Sequence, residues 1–456
     1  MKQNHKVIWM RLWKLGNVLL ITLAFALVWR ASYMPQLDVP ARITETAAVL
    51  TLYAALYVVF VRIYGAYLIS QSRISELVGS QFLSAMLTDL FLYVVSALLM
   101  HRLPPALPLL AALVGQSIIA VVWTTFAHHW YFKTYPPARS AILYEDEQKA
   151  RTFVREYGLR KRYNLVRAVP VSDVDASFAC LQDVEVVFMT DVHSRGRDPI
   201  LKYCVDHNIE VYIIPRIGDL IMSGASKVHM FHFPVLRVAR YHPRPEYLIA
   251  KRLFDLLVSF AALIVLSPLM IGTAIAVHAC DRGPVFYRQT RLTKDGKQFR
   301  LLKFRSMRID AEDDGVARLS SGKGDPRVTS VGRVIRKYRI DELPQLLNIL
   351  AGDLSVVGPR PERPEIAAEY EKTLPEFRLR LQAKAGLTGY AQVYGKYNTD
   401  PYHKLQLDLM YIANPSFLED LRICFATVKV LFKAESTEGV AQGMTTAMEE
   451  RETAEV

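Results

Sequence analysis

Apolar positions are spread unevenly along this chain. Before residue 135 they form four long runs, 15–34, 46–61, 82–100 and 106–126, separated by short polar loops. Runs of this kind predict membrane-crossing helices, because a bilayer core takes about 20 helical residues. The second run is short by that measure, and reaches Leu68 only by taking in Arg62. From Ala138 the period changes. The short apolar segments SAILYED, NLVRAVPV, VEVVFMTD and IEVYIIP alternate with charged helical stretches, which predicts a small parallel sheet. A fifth apolar run, 253–277, is about 25 residues or roughly 37 Å as a straight helix. Further on, EDLRICFATVKVLFK (419–433) has an apolar face flanked by basic residues, suited to an anionic lipid surface or to ordinary docking. The remainder is Glu-, Thr- and Gly-rich without apolar periodicity and predicts a disordered tail. The expected organisation is a four-helix membrane region (1–135), a Rossmann-like α/β domain (136–242), an α-rich domain (243–433) with a membrane helix at about 251–277, and an acidic tail (434–456).

Charge adds direction to these runs. Lys2, Lys6, Arg11 and Lys14 precede the first, Arg62 and Arg73 follow the second, and Lys133 and Arg139 follow the fourth, which assigns those ends to the cytoplasmic side. Arg30, Arg42 and Arg102, with Asp38 and Glu45, lie in the opposite loops. The first run has no small-residue cleavage site, against a secretory signal peptide. The fifth run is basic at both ends, with Lys251 and Arg252 before it and Arg282, Arg288 and Arg291 after it. Two cytoplasmic ends imply a re-entrant path, hinged where Pro268 breaks the backbone ladder and Ser267 helps satisfy freed groups. A Pro-kinked spanning helix is the alternative. Lys251 and Asp255, one turn apart, suit an ion pair that fixes helix entry. Asp89, inside the third run, is either functional or a hydrogen-bonded side chain facing the bundle.

The net charge of +12 is compatible with lipid, phosphorylated substrates or nucleic acid. The basic blocks flank a membrane segment and no base-reading motif is present, which excludes nucleic acid as the expected partner. The four cysteines are dispersed, with neither a disulfide framework nor zinc-ligand spacing. In the α/β region, the turn after the first strand reads Tyr144-Glu145-Asp146-Glu147 instead of a glycine-rich phosphate loop, and GDLIMSGASK (218–227) has the wrong spacing for one.

The chemistry concentrates after the fifth run. Cations recur at Arg288, Arg291, Lys303, Arg305, Arg327, Arg333, Arg336, Arg360 and Arg363, which suits pyrophosphate, although a lipid-facing surface would use the same residues. Among them stand adjacent carboxylates, Asp341 and Glu342. With Pro344 in a first turn and Leu346, Leu347, Ile349 and Leu350 following, Asp341 fits a helix N-cap. The same position, in the field of a helix start, would keep a carboxylate nucleophile ionised. Both readings stand on these residues alone.

The blocks KRLFD with LSP, GPVFYRQTR, KFRSM, DPRVTSVG, DELPQLLNIL, GDLSVVGPRP and GLTGYAQV, in this order, resemble the bacterial sugar transferase family, the monotopic polyprenyl-phosphate phosphoglycosyl transferases. The likeness covers about residues 247–433, and the whole chain resembles the large members that prime exopolysaccharide, capsule or O-antigen synthesis. It implies transfer of a sugar-1-phosphate from a UDP-sugar to undecaprenyl phosphate with release of UMP, in the bacterial inner membrane with the catalytic domain on the cytoplasmic face. By that resemblance Asp341 is the nucleophile of a covalent phosphosugar intermediate and Glu342 holds Mg²⁺. Lys303, Arg336 and Arg360 match the family's basic positions, Arg305 and Arg363 join them as substrate-binding residues from the cationic series, and the re-entrant helix is a family feature. A homo-oligomer and downstream glycosyltransferases are partners the resemblance allows. Thr293, Ala385 and Tyr338-Arg339 depart from the family pattern, which leaves sugar preference and local loop shape open. The competing classes are a membrane sensor or scaffold without turnover, and a glycosyltransferase that releases UDP.

Overall fold

The four N-terminal apolar runs fold as helices: α1 (Lys2–Val28), α2 (Ile43–Tyr64), α3 (Ile74–Met100) and α4 (Leu107–Thr134). The structure is a computed structural model and describes residues 2–36, 43–70, 72–156, 158–241, 243–309, 325, 327–395 and 400–431. The expected tail, 434–456, lies outside the described residues. Helix α2 reaches 22 residues, longer than its apolar run. Arg62 is accommodated in its last turn, where a cation complements the negative end of the helix dipole.

Together with a later helix, α8 (Pro245–Asp281), these are five helices long and apolar enough to cross a membrane. Leu19, Leu23, Leu98 and Val122 face outward, and the interior packs Ile21, Phe25, Trp29 and Leu92 around a few buried polar side chains. Asn17 donates to Gln81 (3.1 Å) and accepts from Tyr57 (3.1 Å) and Tyr67 (2.8 Å), and Gln81 donates to Thr124 (3.0 Å). Asp89 accepts from Tyr53 (3.0 Å) and Gln116 (3.3 Å), so it faces the bundle. Such bonds in apolar surroundings fix the mutual register of the helices.

The chain divides into two compact units, Met1–Ile214 and Pro215–Val456. The first also holds β1 (Arg139–Tyr144), α5 (Glu147–Glu156), β2 (Asn164–Pro170), β3 (Val186–Thr190), α6 (Ser194–Asp206) and β4 (Glu210–Ile213). The strands form a parallel sheet in the order β2-β1-β3-β4, as the alternating pattern predicts. After β1 the acidic turn is occupied from within. Glu145 accepts the His193 backbone N–H (2.8 Å) and pairs with its ring, and Asp146 accepts the backbone N–H groups of Gln148 (2.9 Å) and Lys149 (3.2 Å) at the start of α5.

The second unit opens with α7 (Ile217–Ser223) and the hairpin β5 (Ser226–Met230)–β6 (Phe233–Arg237). The glycine-containing segment 218–227 is thus a helix running into a strand, the reverse of a phosphate-binding loop. After α8 come the hairpin β7 (Phe286–Leu292)–β8 (Gln298–Phe304), α9 (Ser330–Lys337), α10 (Gln345–Ala351), β9 (Ser355–Val357), α11 (Pro364–Thr373), β10 (Gly386–Thr388), α12 (Tyr390–Tyr394), α13 (Pro401–Ala413) and α14 (Phe417–Leu431). Ile349, Val357, Tyr370, Phe377, Leu405 and Ile423 form the centre of its core. Asp420 and Ile423 are fully buried, so α14 is a docked helix.

Helix α8 is tied to this unit near both ends. At its start Arg252 donates to the last carbonyls of α10, at Ile349 (2.7 Å) and Leu350 (2.9 Å). The expected Lys251–Asp255 pair is not formed. Lys251 reaches Asp420 instead (2.9 Å), because Asp255 is taken up by the backbone N–H of Val356 (2.9 Å) and the hydroxyl of Ser355 (3.1 Å) on β9. At the other end Val277 packs with Phe304 and Ile335, and Asp281 binds Arg305 (2.7 Å). Between these anchors Phe260, Ile264, Val265 and Ile271 are exposed. Pro268 lies inside the helix, and Ser267 donates its hydroxyl to the Ile264 carbonyl (2.8 Å).

Strands β9 and β10 pair in parallel, and their glycines permit unusually close backbone contact. A Cβ on Gly386 would stand 2.1 Å from the Gly358 nitrogen and 2.6 Å from its Cα. Backbone on the facing segment cannot swing aside as a side chain would. Gly386→Ala should therefore cost about 3 kcal/mol or more, read as a lowered melting temperature of the detergent-solubilised protein. Gly218→Ala, where a Cβ meets nothing within 4 Å, should leave it unchanged.

Candidate functional site

The carboxylate pair sits on a short 3-10 turn, Ile340–Glu342, between α9 and α10. Thr329 starts α9 by accepting the Gly332 N–H (2.9 Å). Arg339 ends the approach in the left-handed region (φ 55°), a conformation that costs a non-glycine residue about 1–2 kcal/mol. This reversal separates the dyad from α9. It also removes Asp341 from the expected cap: α10 begins at Gln345 behind Pro344, a full 3-10 turn later.

The two neighbours have opposite environments. Glu342 Oε1 accepts from Lys303 Nζ (3.0 Å), delivered by β8, and from Arg360 (2.9 Å), delivered by the loop after β9. Arg339 stands 3.8 Å from its Oε2. Burial pushes this carboxyl up, but Lys303, Arg360 and Arg339 overcome it and hold Glu342 well below the usual carboxylate range. Asp341 is also buried, yet its carboxylate makes no hydrogen bond or ion pair among the described residues. Burial raises its pKa, Lys303 lowers it, Glu342 raises it further, and Arg336 and Arg360 oppose; the outcome is an upward shift to about 6. The expected helix field is replaced by this balance, which leaves Asp341 ionised at neutral pH.

Of the other residues singled out in the sequence, Lys303 and Arg360 are in the cage around Glu342, and Arg336 acts on Asp341 through its field. Arg363 lies at the start of α11 with its Nε 3.6 Å from Glu365. Arg305 is turned away from the dyad. It is buried and held by Asp281 and the Pro284 carbonyl (2.7 Å), because the end of α8 needs a partner for its carboxylate there. Ser267 and Pro268 lie on α8, and Lys251 and Asp255 serve as its anchors.

A buried network without a counterpart in the sequence reading holds the Arg360 loop. Arg380 donates to the Arg360 carbonyl (2.8 Å) and to Asp408 (2.8 Å), while Glu362 pairs with Lys404 (2.7 Å) and Arg380 (3.5 Å). Arg291 donates to the Pro361 carbonyl (3.0 Å). Burial raises the Glu362 carboxyl, but Lys404, Arg380 and Arg291 bring it down to about 2. Asp408, a lone acid inside LQLDLMYI, was the visible signal, since a charge in an apolar run needs a buried partner. Arg291, Lys303, Gln345, Arg360 and Pro361 line a small cleft beside the dyad.

No three acidic, His or Cys side chains converge to hold a metal among the described residues. A divalent cation would have Glu342, whose Oε2 lies 3.8 Å from Arg339, and Asp341. Mg²⁺ fits such a set, because it commonly takes one or two carboxylates and completes its shell with water and phosphate oxygens. The arrangement therefore offers an unpaired carboxylate beside cations able to bind phosphate.

The profile of the family described as bacterial sugar transferase matches residues 246–434. Over 253 residues the chain is 36% identical to the UDP-N-acetylgalactosamine-undecaprenyl-phosphate N-acetylgalactosaminephosphotransferase of Aeromonas hydrophila, covering 55% of this chain and 59% of that protein. It is 41% identical over 291 residues to the UDP-glucose:undecaprenyl-phosphate glucose-1-phosphate transferase of Klebsiella pneumoniae, covering 63% of this chain and 60% of that one. The chain thus spans about three-fifths of the length of these two relatives. With the exopolysaccharide production protein PSS of Rhizobium leguminosarum bv. phaseoli it shares 42% identity over 190 residues, which are 40% of this chain and 94% of that protein. Residues 246–434 carry α8 from its second residue, the dyad and its cationic cage, and the chain belongs to the bacterial sugar transferase family.

Proposed function

We propose that the protein is a phosphoglycosyl transferase that moves a sugar-1-phosphate from a UDP-sugar to undecaprenyl phosphate and releases UMP, the priming step of exopolysaccharide, capsule or O-antigen synthesis. The observation that carries this reading is the contrast within the dyad: a caged Glu342 beside an Asp341 carboxyl with no hydrogen bond or ion pair among the described residues. The activities named for the relatives support the same donor and acceptor classes.

An Asp341 oxygen attacks the sugar-bearing phosphorus. The bond to the bridging oxygen breaks and UMP leaves with the electron pair, giving an aspartyl phosphosugar. An oxygen of undecaprenyl phosphate then attacks that phosphorus, the Asp341–phosphorus bond breaks, and the carboxylate is restored. Lys303, Arg360 and Arg336 surround the developing charge with donors. Glu342 would hold Mg²⁺, which when bound would help disperse charge on the phosphate oxygens.

This reading places the protein in the bacterial inner membrane with the second unit on the cytoplasmic face. The anchors at both ends of α8 support a re-entrant path for that helix, because both ends are tied to one compact unit while the apolar stretch between them is exposed.

Four outcomes are expected. With UDP-sugar and no acceptor, the purified wild-type protein in detergent should release a single equivalent of UMP and gain a phosphosugar on the Asp341 peptide, seen by mass spectrometry. Asp341→Asn should lower UMP release by about a thousandfold or more; full turnover would exclude the covalent route, release of UDP would indicate a glycosyltransferase, and no turnover with any donor would favour a scaffold. The pH dependence follows from the raised Asp341 pKa. Below about pH 6 the carboxyl is protonated and cannot attack, so single-turnover UMP release should rise through about pH 6 and then level. Glu342, held charged, adds no limb in that range, so a flat profile between pH 5 and 7 would contradict the assignment. For topology, single cysteines at Ile249 and at the native Cys280, both exposed, should react from the same side of the membrane; labelling from opposite sides would make α8 a spanning helix.

A further inference from the structure

We infer that Gln345 reads a ring hydroxyl of the nucleotide-sugar donor, an assignment that rests on the donor reaction proposed above. Gln345 is the first residue of α10, four positions after Asp341, and is 4% exposed. Its side-chain amide has no hydrogen-bond partner among the described residues. A buried amide left in that condition is costly, and such groups almost always have a partner. The protein does not seal the amide off, and the residue lines the cleft beside the dyad.

The chemistry of that cleft narrows what the partner is. The other polar side chains lining it are Arg291, Lys303 and Arg360, which can only donate. Phosphate oxygens only accept, so these cations match a pyrophosphate without help. Gln345 adds the one side-chain acceptor among the lining residues, together with an N–H₂ donor. Hydroxyls both donate and accept, and they are the groups of that kind that every nucleotide sugar carries beside its pyrophosphate. In a nucleotide sugar two hydroxylated rings flank the pyrophosphate, the ribose and the transferred sugar.

The test compares wild type with Gln345→Met, which keeps length and bulk but removes both hydrogen-bonding atoms, and with Gln345→Glu, which keeps an acceptor. Affinities for UDP and for UDP-glucose, UDP-galactose and UDP-N-acetylgalactosamine are measured by calorimetry on the full-length protein in nanodiscs, alongside UMP release and melting temperature. Gln345→Met should weaken binding of the accepted UDP-sugar at least tenfold with no fall in melting temperature, and Gln345→Glu should weaken it less. If UDP itself weakens equally, the hydroxyl is on the ribose. If UDP is unaffected and only the UDP-sugar weakens, it is on the transferred sugar. Unchanged affinity for UDP and for every UDP-sugar in Gln345→Met would overturn the inference. Wild-type protein that binds these donors but releases no UMP would instead overturn the proposed reaction, while the binding comparison still decides the role of Gln345.

Discussion

The site depends on the neutralisation of Glu342 by three cations that arrive from three separate places in the chain. Lys303 comes from β8, Arg339 from the left-handed turn before the dyad, and Arg360 from the loop after β9. A carboxylate buried without them would leave an uncompensated charge, and so would the cations without it. The arrangement fixes the relative positions of β8, the 3-10 turn and the Arg360 loop at one point. It also disposes of one carboxylate of the dyad, so that the other, Asp341, has neighbouring positive charge without a direct partner. Adjacent residues are thereby given unlike chemical states by geometry alone.

The membrane helix enters the same construction through polar contacts. Arg252 binds the Ile349 and Leu350 carbonyls at the end of α10, and Asp255 takes a backbone N–H of β9. The short helix that follows the dyad and the strand that precedes the Arg360 loop are therefore both fastened to α8. An apolar segment has few ways to set its depth relative to a polar domain, because lipid contact is non-directional. Directional bonds at Lys251, Arg252 and Asp255, together with Arg305 at the far end, supply that definition. Arg305 is a member of the basic series by sequence and a fastening of α8 by structure, which is why charge counting alone put it with the substrate.

Much of the architecture was legible in the chain because it follows from period. Long apolar runs gave helices α1–α4 and α8, and short runs alternating with charged segments gave the parallel sheet. The dyad was legible as a pair, but its setting was not. Asp341 looks like a cap because Pro344 and an apolar run follow it, and the left-handed Arg339 that inserts a 3-10 turn has no sequence signature. The Lys251–Asp255 pair failed for a related reason. Helical spacing says which side chains are neighbours on one helix, and says nothing about competitors such as Asp420 and Val356 that tertiary packing brings closer. Gln345 was hidden for the opposite reason, since its distinguishing feature is a missing partner.

The network behind the Arg360 loop bears on why so many charges are buried here. Arg380, Asp408, Glu362 and Lys404 would contribute little net stability compared with apolar residues of similar size, because each charge loses its hydration. What they do supply is direction. Arg380 binds the Arg360 carbonyl and Asp408 at once, and Arg291 binds the next carbonyl, at Pro361. Two consecutive carbonyls of a loop are thus held by guanidinium groups that are themselves fixed. A hydrophobic replacement could fill the volume and would leave the loop free to rotate about its backbone. Since Arg360 must reach Glu342 across the cleft, orientation of that loop is the quantity under constraint, and buried ion pairs are suited to setting it.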